Sequence, residues 1–216
     1  MSTTNPIITL DLVLDRHTAK DVLRAVLHSI LFHRLLGFVL PKTFEVLDVT
    51  MPAVDDANVE QLVDQKVDVF WKGIEGGLSK RGQISVTFSE KRAKKSWFLV
   101  GEVSIYRYLV PHISLTLNYR KKCHGRNGWL QYYLFRDLAE ALRRIVNAEV
   151  RQPTTERDRQ RFNSDLSSTL TKSLKTMLVH TSSESGRAAV PLITNSQGIS
   201  PFPYKITVKM NGTEVG

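Results

Sequence analysis

One cysteine in 216 residues cannot form an internal disulfide. Cys123 therefore fits a reducing compartment, and the fold must rest on burial rather than cross-links. No run of about 18 apolar residues occurs, which excludes a membrane-spanning helix. The N-terminal MSTTNPIITLDLVLD lacks a basic stretch followed by an apolar core, and it lacks the arginines of a transit peptide. A cytoplasmic protein is the expectation. Acid is also in short supply: 21 Asp+Glu stand against 30 Lys+Arg, a net charge of +9. Such a surplus attracts polyanions, whether nucleic acid, anionic lipid or an acidic partner. Its other reading is a solvated basic surface. Apolar mass is not scarce. At 42% hydrophobic residues the chain has a core to bury, which excludes disorder throughout. The length suits one large domain or two small ones.

Catalytic signatures are missing too. There is no G-x-S-x-G elbow, Walker loop, H-E-x-x-H or G-x-G-x-x-G. His28 and His33 lie five apart, a spacing that misses one helix face, so they read as satisfied buried histidines rather than a metal pair. Cys123-His124 lacks the second ligand pair that zinc needs and reads as a free thiol. Asp55 and Asp56 read as helix caps rather than paired catalytic acids. The expectation is a non-enzyme with no catalytic residue, metal or cofactor.

What is present is a mixed series of elements. Ile7 to Leu14 reads as a strand. Thr18 caps a helix whose apolar positions include Val22, Val26 and Ile30, stopped at Gly37 and Pro41. Phe44 to Met51 reads as a strand ended by Pro52. A helix follows from Asp55 or Asp56, with Val59, Leu62, Val63, Val67, Phe70 and Trp71 at helical spacing, stopped by Gly76 and Gly77. In Gln83 to Phe88, Ile84, Val86 and Phe88 share one side, a half-buried antiparallel strand. Leu130 to Leu142 has helical spacing, and Ile145 to Arg151 fits either a helix continuation or a strand. Thr155 with Asp158 opens a long helix with Phe162, Leu166, Leu170, Leu174, Met177 and Leu178 on its buried face. Thr181 to Gly186 reads as a loop. Tyr204 to Met210 alternates as a final strand. Parallel α/β repetition and internal repeats are absent. The fold class is α+β, an antiparallel sheet with helices packed on one face, in a single domain over 1–216.

The run Lys91-Arg92-Ala93-Lys94-Lys95 leads into Trp97-Phe98. Adjacent strand residues face opposite ways, and the cations make burial of the whole segment costly. Two readings follow: an aromatic that anchors a loop in the core, or a protruding hot spot for a partner or membrane interface. Lys91, Arg92, Lys94 and Lys95 beside these rings are the candidate anionic contact, since cations next to stacking surfaces suit single strands. No RNP-like strand, GXXG clamp or zinc-finger spacing accompanies them, so no specific nucleic acid is expected.

Four stretches carry a resemblance. They are Val26-Leu27-His28-Ser29-Ile30-Leu31-Phe32-His33-Arg34, then Leu47-Asp48-Val49-Thr50 running into the Val59 to Val67 helix, then Gln83 to Phe88 with the lysines and Trp97-Phe98. The last is Thr155-Glu156-Arg157-Asp158-Arg159-Gln160 followed by Val190-Pro191-Leu192-Ile193-Thr194 and Pro201-Phe202-Pro203-Tyr204-Lys205-Ile206. In this order they resemble the autophagy-related protein 101 family over 7–98 and 144–210. The resemblance implies a HORMA-like fold and a non-catalytic scaffold of the autophagy-initiation kinase complex at the phagophore assembly site. It implies pairing with the HORMA domain of autophagy-related protein 13, which the chain would stabilise. It maps a finger that recruits downstream factors onto Trp97 and Phe98, with a membrane surface as a further contact. It marks His33 and Arg34 as candidates for the partner interface, with Leu47 and Val49 beside them. Residues 99–142 depart from the family pattern. They stand either as a genuine insertion or as a gene-model error such as translated intron. The alternative function is a basic module binding anionic membrane or nucleic acid.

Overall fold

The computed structural model describes residues 7–91, 94–95, 121–124, 129–134, 138–191, 193 and 199–216. The chain forms two compact units: Met1–Glu90 with Glu140–Gly216, and Lys91–Ala139.

The larger unit begins with β1 (Ile7–Asp15), where Leu10, Leu12 and Leu14 are buried and Ile7, Thr9 and Asp11 are exposed. Helix α1 (Ala19–Phe32) follows, buried on most sides as its wide apolar stripe predicts. Thr18 occupies the N-cap position, yet its hydroxyl makes no capping bond and is buried without a partner. The helix also ends at His33, four residues before Gly37, where Arg34 N–H bonds the Leu31 carbonyl three residues back in a tightened last turn.

The stretch expected as one strand, Phe44 to Met51, is a hairpin. Strand β2 (Pro41–Val46) turns at Leu47-Asp48 into β3 (Val49–Val54). Both turn residues are left-handed, at φ 49 and 61. That is the geometry a two-residue hairpin turn requires, reached here without the usual glycine. Pro52 does not end a strand but lies inside β3, opposite Thr43. This is a two-stranded sheet, so proline's missing N–H can fall on the side without a ladder partner.

Helix α2 (Ala57–Glu75) starts as expected: the Asp56 carboxylate accepts from Asn58 and Val59 N–H. Gly76 ends it and Gly77 takes φ +71. Lys20–Asp68 (2.8 Å), Arg24–Asp64 (2.5 Å) and Lys42–Glu60 (3.1 Å) join α2 to α1 and the hairpin. All are partly exposed and each contributes little. Strand β4 (Arg81–Lys91) buries Ile84, Val86 and Phe88 completely.

The helical spacing read over Leu130 to Leu142 is overturned by two strands, β7 (Trp129–Leu134) and β8 (Leu138–Arg151). In β8, Leu142, Arg144, Val146, Ala148 and Val150 are buried while the residues between them are half-buried, a period of two. The long helix α3 (Glu156–Ser182) opens on Thr155, whose hydroxyl accepts from Asp158 N–H. Leu166, Leu170 and Met177 are buried as expected, but Leu178 is exposed. The expected loop at Thr181 to Gly186 is instead the end of α3 and a short α4 (Glu184–Ala188). Strand β9 (Tyr204–Met210) turns through Asn211-Gly212 into β10 (Thr213–Val215), a strand the sequence reading missed.

These strands form one sheet in the order β1-β8-β4-β9-β10. The sheet is mixed rather than wholly antiparallel. β1 runs parallel to β8, from Ile7 opposite Arg143 to Asp15 opposite Arg151. A parallel pair needs a long connection, and more than a hundred residues separate these two strands. Along β4 and β8 the partners run oppositely: Lys80 carbonyl to Val150, Arg81 to Glu149, Gln83 to Asn147. Phe70, Phe88, Leu12, Leu27 and Leu170 are fully buried between sheet and helices.

In the smaller unit β5 (Lys94–Lys95), β6 (Lys121–His124) and β7 form a three-stranded antiparallel sheet with β7 central.

Candidate interaction surface

The end of α1 is tied down from below. Burial holds the His33 imidazole below its ordinary value, although its Nδ1 lies 2.7 Å from the Ser29 carbonyl. Its ring meets Phe32 edge-on. Arg34 is only 2% exposed. It donates from Nη1 to the Gly186 carbonyl (3.0 Å) and from Nη2 to His180 Nδ1 (3.1 Å). Arg144 of β8, equally buried, donates to the same nitrogen at 3.2 Å and to the Arg143 carbonyl at 3.0 Å. Two donors on Nδ1 put the imidazole proton on Nε2. Burial, reinforced by Arg34, pushes Arg144 down to about 10. Burial and then the two guanidiniums lower His180.

Above this clamp the chain turns apolar and outward. Leu36 is 50% exposed, Phe38 87% and Leu40 67%. No charged residue occurs from Leu35 to Pro41. The segment is held at both ends: Gly37 N–H donates to the Ile199 carbonyl and Asp55 N–H to the Leu40 carbonyl. A monomer surface seldom leaves a large ring this open beside two further apolar side chains, and interaction sites do. The sequence reading used Gly37 and Pro41 only as helix stops. The signal it passed over was an apolar run, Phe38-Val39-Leu40, with no helical or strand period, bounded by turn residues.

The predicted partner residues are spread along α3 rather than gathered at one point. His33 is half-buried, and Arg34 lies in the chain's own interior with His180. Leu47 and Val49 are half-buried at the closed end of the hairpin, where Ser167 Oγ donates to the Leu47 carbonyl at 2.6 Å. Ser167 and His180 are thirteen residues apart, about 20 Å along the helix. Trp97, Phe98 and Arg92 lie outside the described residues. Lys91 ends β4, and Lys94 and Lys95 form β5 opposite Leu134 and Tyr133. His28 is buried against Phe44, rings 5.2 Å apart, with its Nδ1 unpartnered rather than satisfied. Arg144 and His180 were missed, since nothing local marks a residue whose partner lies elsewhere in the chain.

On the sheet face opposite the helices lies a groove of about 600 Å³. Asp11, Asn147, Gln83 and Lys209 cross its floor; Asn147 donates to Asp11 (2.7 Å) and Gln83 to Asn147 (2.9 Å). Asp11, Asn147 and Gln83 are thereby joined to one another. Among the described residues no cluster of three or more His, Cys, Asp or Glu could hold a metal ion, and no helix is long and apolar enough to cross a membrane.

Residues 11–109 match the family model described as autophagy-related protein 101. The autophagy-related protein 101 of Arabidopsis thaliana is 35% identical over 91 residues, covering 41% of this chain and 42% of that protein. The protein of the same name from Schizosaccharomyces pombe is 31% identical over 108 residues, covering 50% and 59%.

Over this span the chain is similar to the autophagy-related protein 101 family.

The chain spans about half the length of the curated relatives it matches. That family is HORMA-like, and the larger unit is likewise α+β, with a layered sheet and helices. The proteins the chain matches are named as autophagy-related proteins. The family match runs to residue 109, and β8 brings Leu142 into the core. The stretch that neither accounts for is therefore 110–137.

Proposed function

We propose that this chain is a non-catalytic scaffold in autophagosome formation. It pairs with the HORMA domain of autophagy-related protein 13, stabilises that partner within the autophagy-initiation kinase complex, and recruits downstream factors through Trp97 and Phe98. The observation that carries the pairing is the exposed segment at Leu36, Phe38 and Leu40, set on a helix end that Arg34 fastens to α3 and α4. A partner interface needs a large apolar anchor on rigid support, and this segment has both. His33, Leu47 and Val49 flank it as lesser contacts. The finger reading rests on Trp97-Phe98 lying within the family-matched span. The reading takes the larger unit as the HORMA-like domain and 110–137 as an insertion within it. It puts the protein in the cytoplasm and at the phagophore assembly site.

The test is co-expression with the HORMA domain of autophagy-related protein 13, followed by size-exclusion chromatography with light scattering. A monodisperse one-to-one complex supports the pairing; two separate peaks from folded proteins would end it. Trp97→Ala with Phe98→Ala then tests the finger. Recruitment should be lost while the pairing survives.

A further inference from the structure

Cations withdrawn from solvent in the larger unit have acceptors. Lys20 bonds Asp68, Arg24 bonds Asp64, Lys42 bonds Glu60, Lys66 bonds the Gly216 carbonyl, Arg34 the Gly186 carbonyl and Arg144 the His180 ring, all within 3.2 Å. Lys209 of β9 is half-buried too, yet its ammonium makes no hydrogen bond or ion pair among the described residues. Its direct neighbour on β10, Glu214, is bonded to Lys205 instead, at 3.0 Å. Taking a charge partly out of water without a partner costs free energy. An anion from outside the chain would offset that cost.

Lys209 lines the groove of about 600 Å³ on the open face of the sheet. One row of side chains crosses its floor, one each from β9, β4, β8 and β1: Lys209, Gln83, Asn147 and Asp11. Lys209 stands directly opposite Gln83, and Asn147 directly opposite Asp11. The bonds in the row all point one way. Gln83 donates to Asn147 and Asn147 to Asp11, so the amide dipoles run toward the carboxylate. Gln83 Oε1 keeps its acceptor capacity. The row is positive at one end and negative at the other, and three strand spacings, about 14 Å, separate the ends. Arg81 and Ser79 line the same groove. Arg81 gives Nε and Nη2 to Glu149, at 3.0 and 2.9 Å, and keeps Nη1. The Ser79 hydroxyl accepts from the Arg81 N–H and keeps its own proton to donate. Val13, 37% exposed, adds apolar surface.

We propose that this groove binds an extended peptide segment with an acidic side chain at one position and a lysine or arginine four residues further on. The carboxylate meets Lys209, with Arg81 Nη1 and Ser79 Oγ as further donors, and the cation meets Asp11. In an extended chain alternate side chains share one side, and four residues span about 13 Å. That matches the separation of the two charges across the floor. A backbone N–H of the segment supplies the donor that Gln83 Oε1 lacks. A free inorganic anion would use Lys209 and leave Asp11 idle. A lipid surface needs an apolar face to enter it, which Val13 alone does not make. The inference goes beyond the pairing proposed above and uses none of its residues.

The test is a nuclear magnetic resonance titration of the full chain with the peptide acetyl-Glu-Thr-Val-Thr-Lys-amide, read at the side-chain amide signals of Gln83 and Asn147. Three controls accompany it: the peptide with Gln for Glu, the peptide with Gln for Lys, and inorganic phosphate. The parent peptide should shift both signals saturably. Each neutralised peptide should bind about 3- to 10-fold more weakly. Lys209→Gln should weaken the parent peptide by a similar factor and abolish the chain's preference for Glu over Gln, while its preference for Lys persists. Asp11→Asn should do the reverse. Failure of the parent peptide to shift these signals, equal affinity for all three peptides, equal shifts with phosphate, or indifference to Lys209→Gln would each overturn the proposal. Should a variant fail to fold by circular dichroism, the comparison of peptides on the unaltered chain still decides.

Discussion

Arg34 and Arg144 share one acceptor. Both donate to Nδ1 of His180, at 3.1 and 3.2 Å, and both are 2% exposed. The imidazole thus ties the end of α1, strand β8 and the end of α3 together. Removing it leaves two buried guanidiniums each short of an acceptor. His180→Ala should cost about 2–4 kcal/mol in denaturant unfolding, since bonds to charged groups are worth more than neutral ones. His180→Gln, which keeps an acceptor, should cost less. A loss below about 0.5 kcal/mol for the alanine variant would mean that the shared bond carries no weight.

Acid should loosen the larger unit. His28, His33 and His180 are all held below the ordinary value of 6.5, chiefly by burial. A histidine lowered in the folded state binds fewer protons there than in the unfolded chain. Its stabilising contribution is full above about pH 6.5 and is lost as pH falls through the folded value. Unfolding free energy should therefore drop between about pH 7.5 and 5, before the carboxylates begin to titrate. His180→Gln should flatten part of that slope. Stability that holds steady or rises on acidification in this window would contradict the assignment.

Gly186 is required by a close approach. A Cβ there would sit 1.8 Å from the His180 carbonyl oxygen, a backbone atom that cannot swing aside. The same residue's carbonyl accepts from Arg34. Gly186→Ala should destabilise by about 1–3 kcal/mol or more. Thermal unfolding reads this directly. A melting temperature equal to the parent's would show that the α3–α4 junction relaxes freely.

Phe38 separates folding from association. At 87% exposed it has little to lose from truncation. Phe38→Ser should leave stability within about 0.5 kcal/mol. As the anchor of the proposed pairing it should weaken the heterodimer by about 2 kcal/mol, roughly thirty-fold. Titration calorimetry with the partner HORMA domain measures this, and unchanged affinity would move the interface elsewhere.

The insertion has a test at the level of the message. Sequencing the transcript across Phe98–Arg144 should recover the codons for 110–137. A spliced message without them would mark the stretch as translated intron.

Where a residue's role is decided by its immediate neighbours, the sequence was readable. Asp56 and Thr155 cap helices because a short oxygen-bearing side chain stands before an apolar run. The alternation in Ile84, Val86 and Phe88 shows a half-buried strand without further help. The same rules also misled. Thr18 stands like a cap yet makes no capping bond, and Leu178, read as part of the buried stripe of α3, is exposed beside the buried Met177. Asn211-Gly212 was a legible hairpin signal that went unused, whereas Leu47-Asp48 makes the same kind of turn with no signal to read.

The sequence by itself determined the α+β class, most helix starts, the alternating strands and the family resemblance. Only the tertiary structure decided that β1 runs parallel to β8, that 138–151 is a strand, that Arg34 turns inward to His180, and that Phe38 is left outside. The physical reason is range. Caps and periodicities are set within one or two turns of chain. Strand order, a shared imidazole between residues 34, 144 and 180, and the choice of which apolar side chain stays uncovered depend on which distant segments meet.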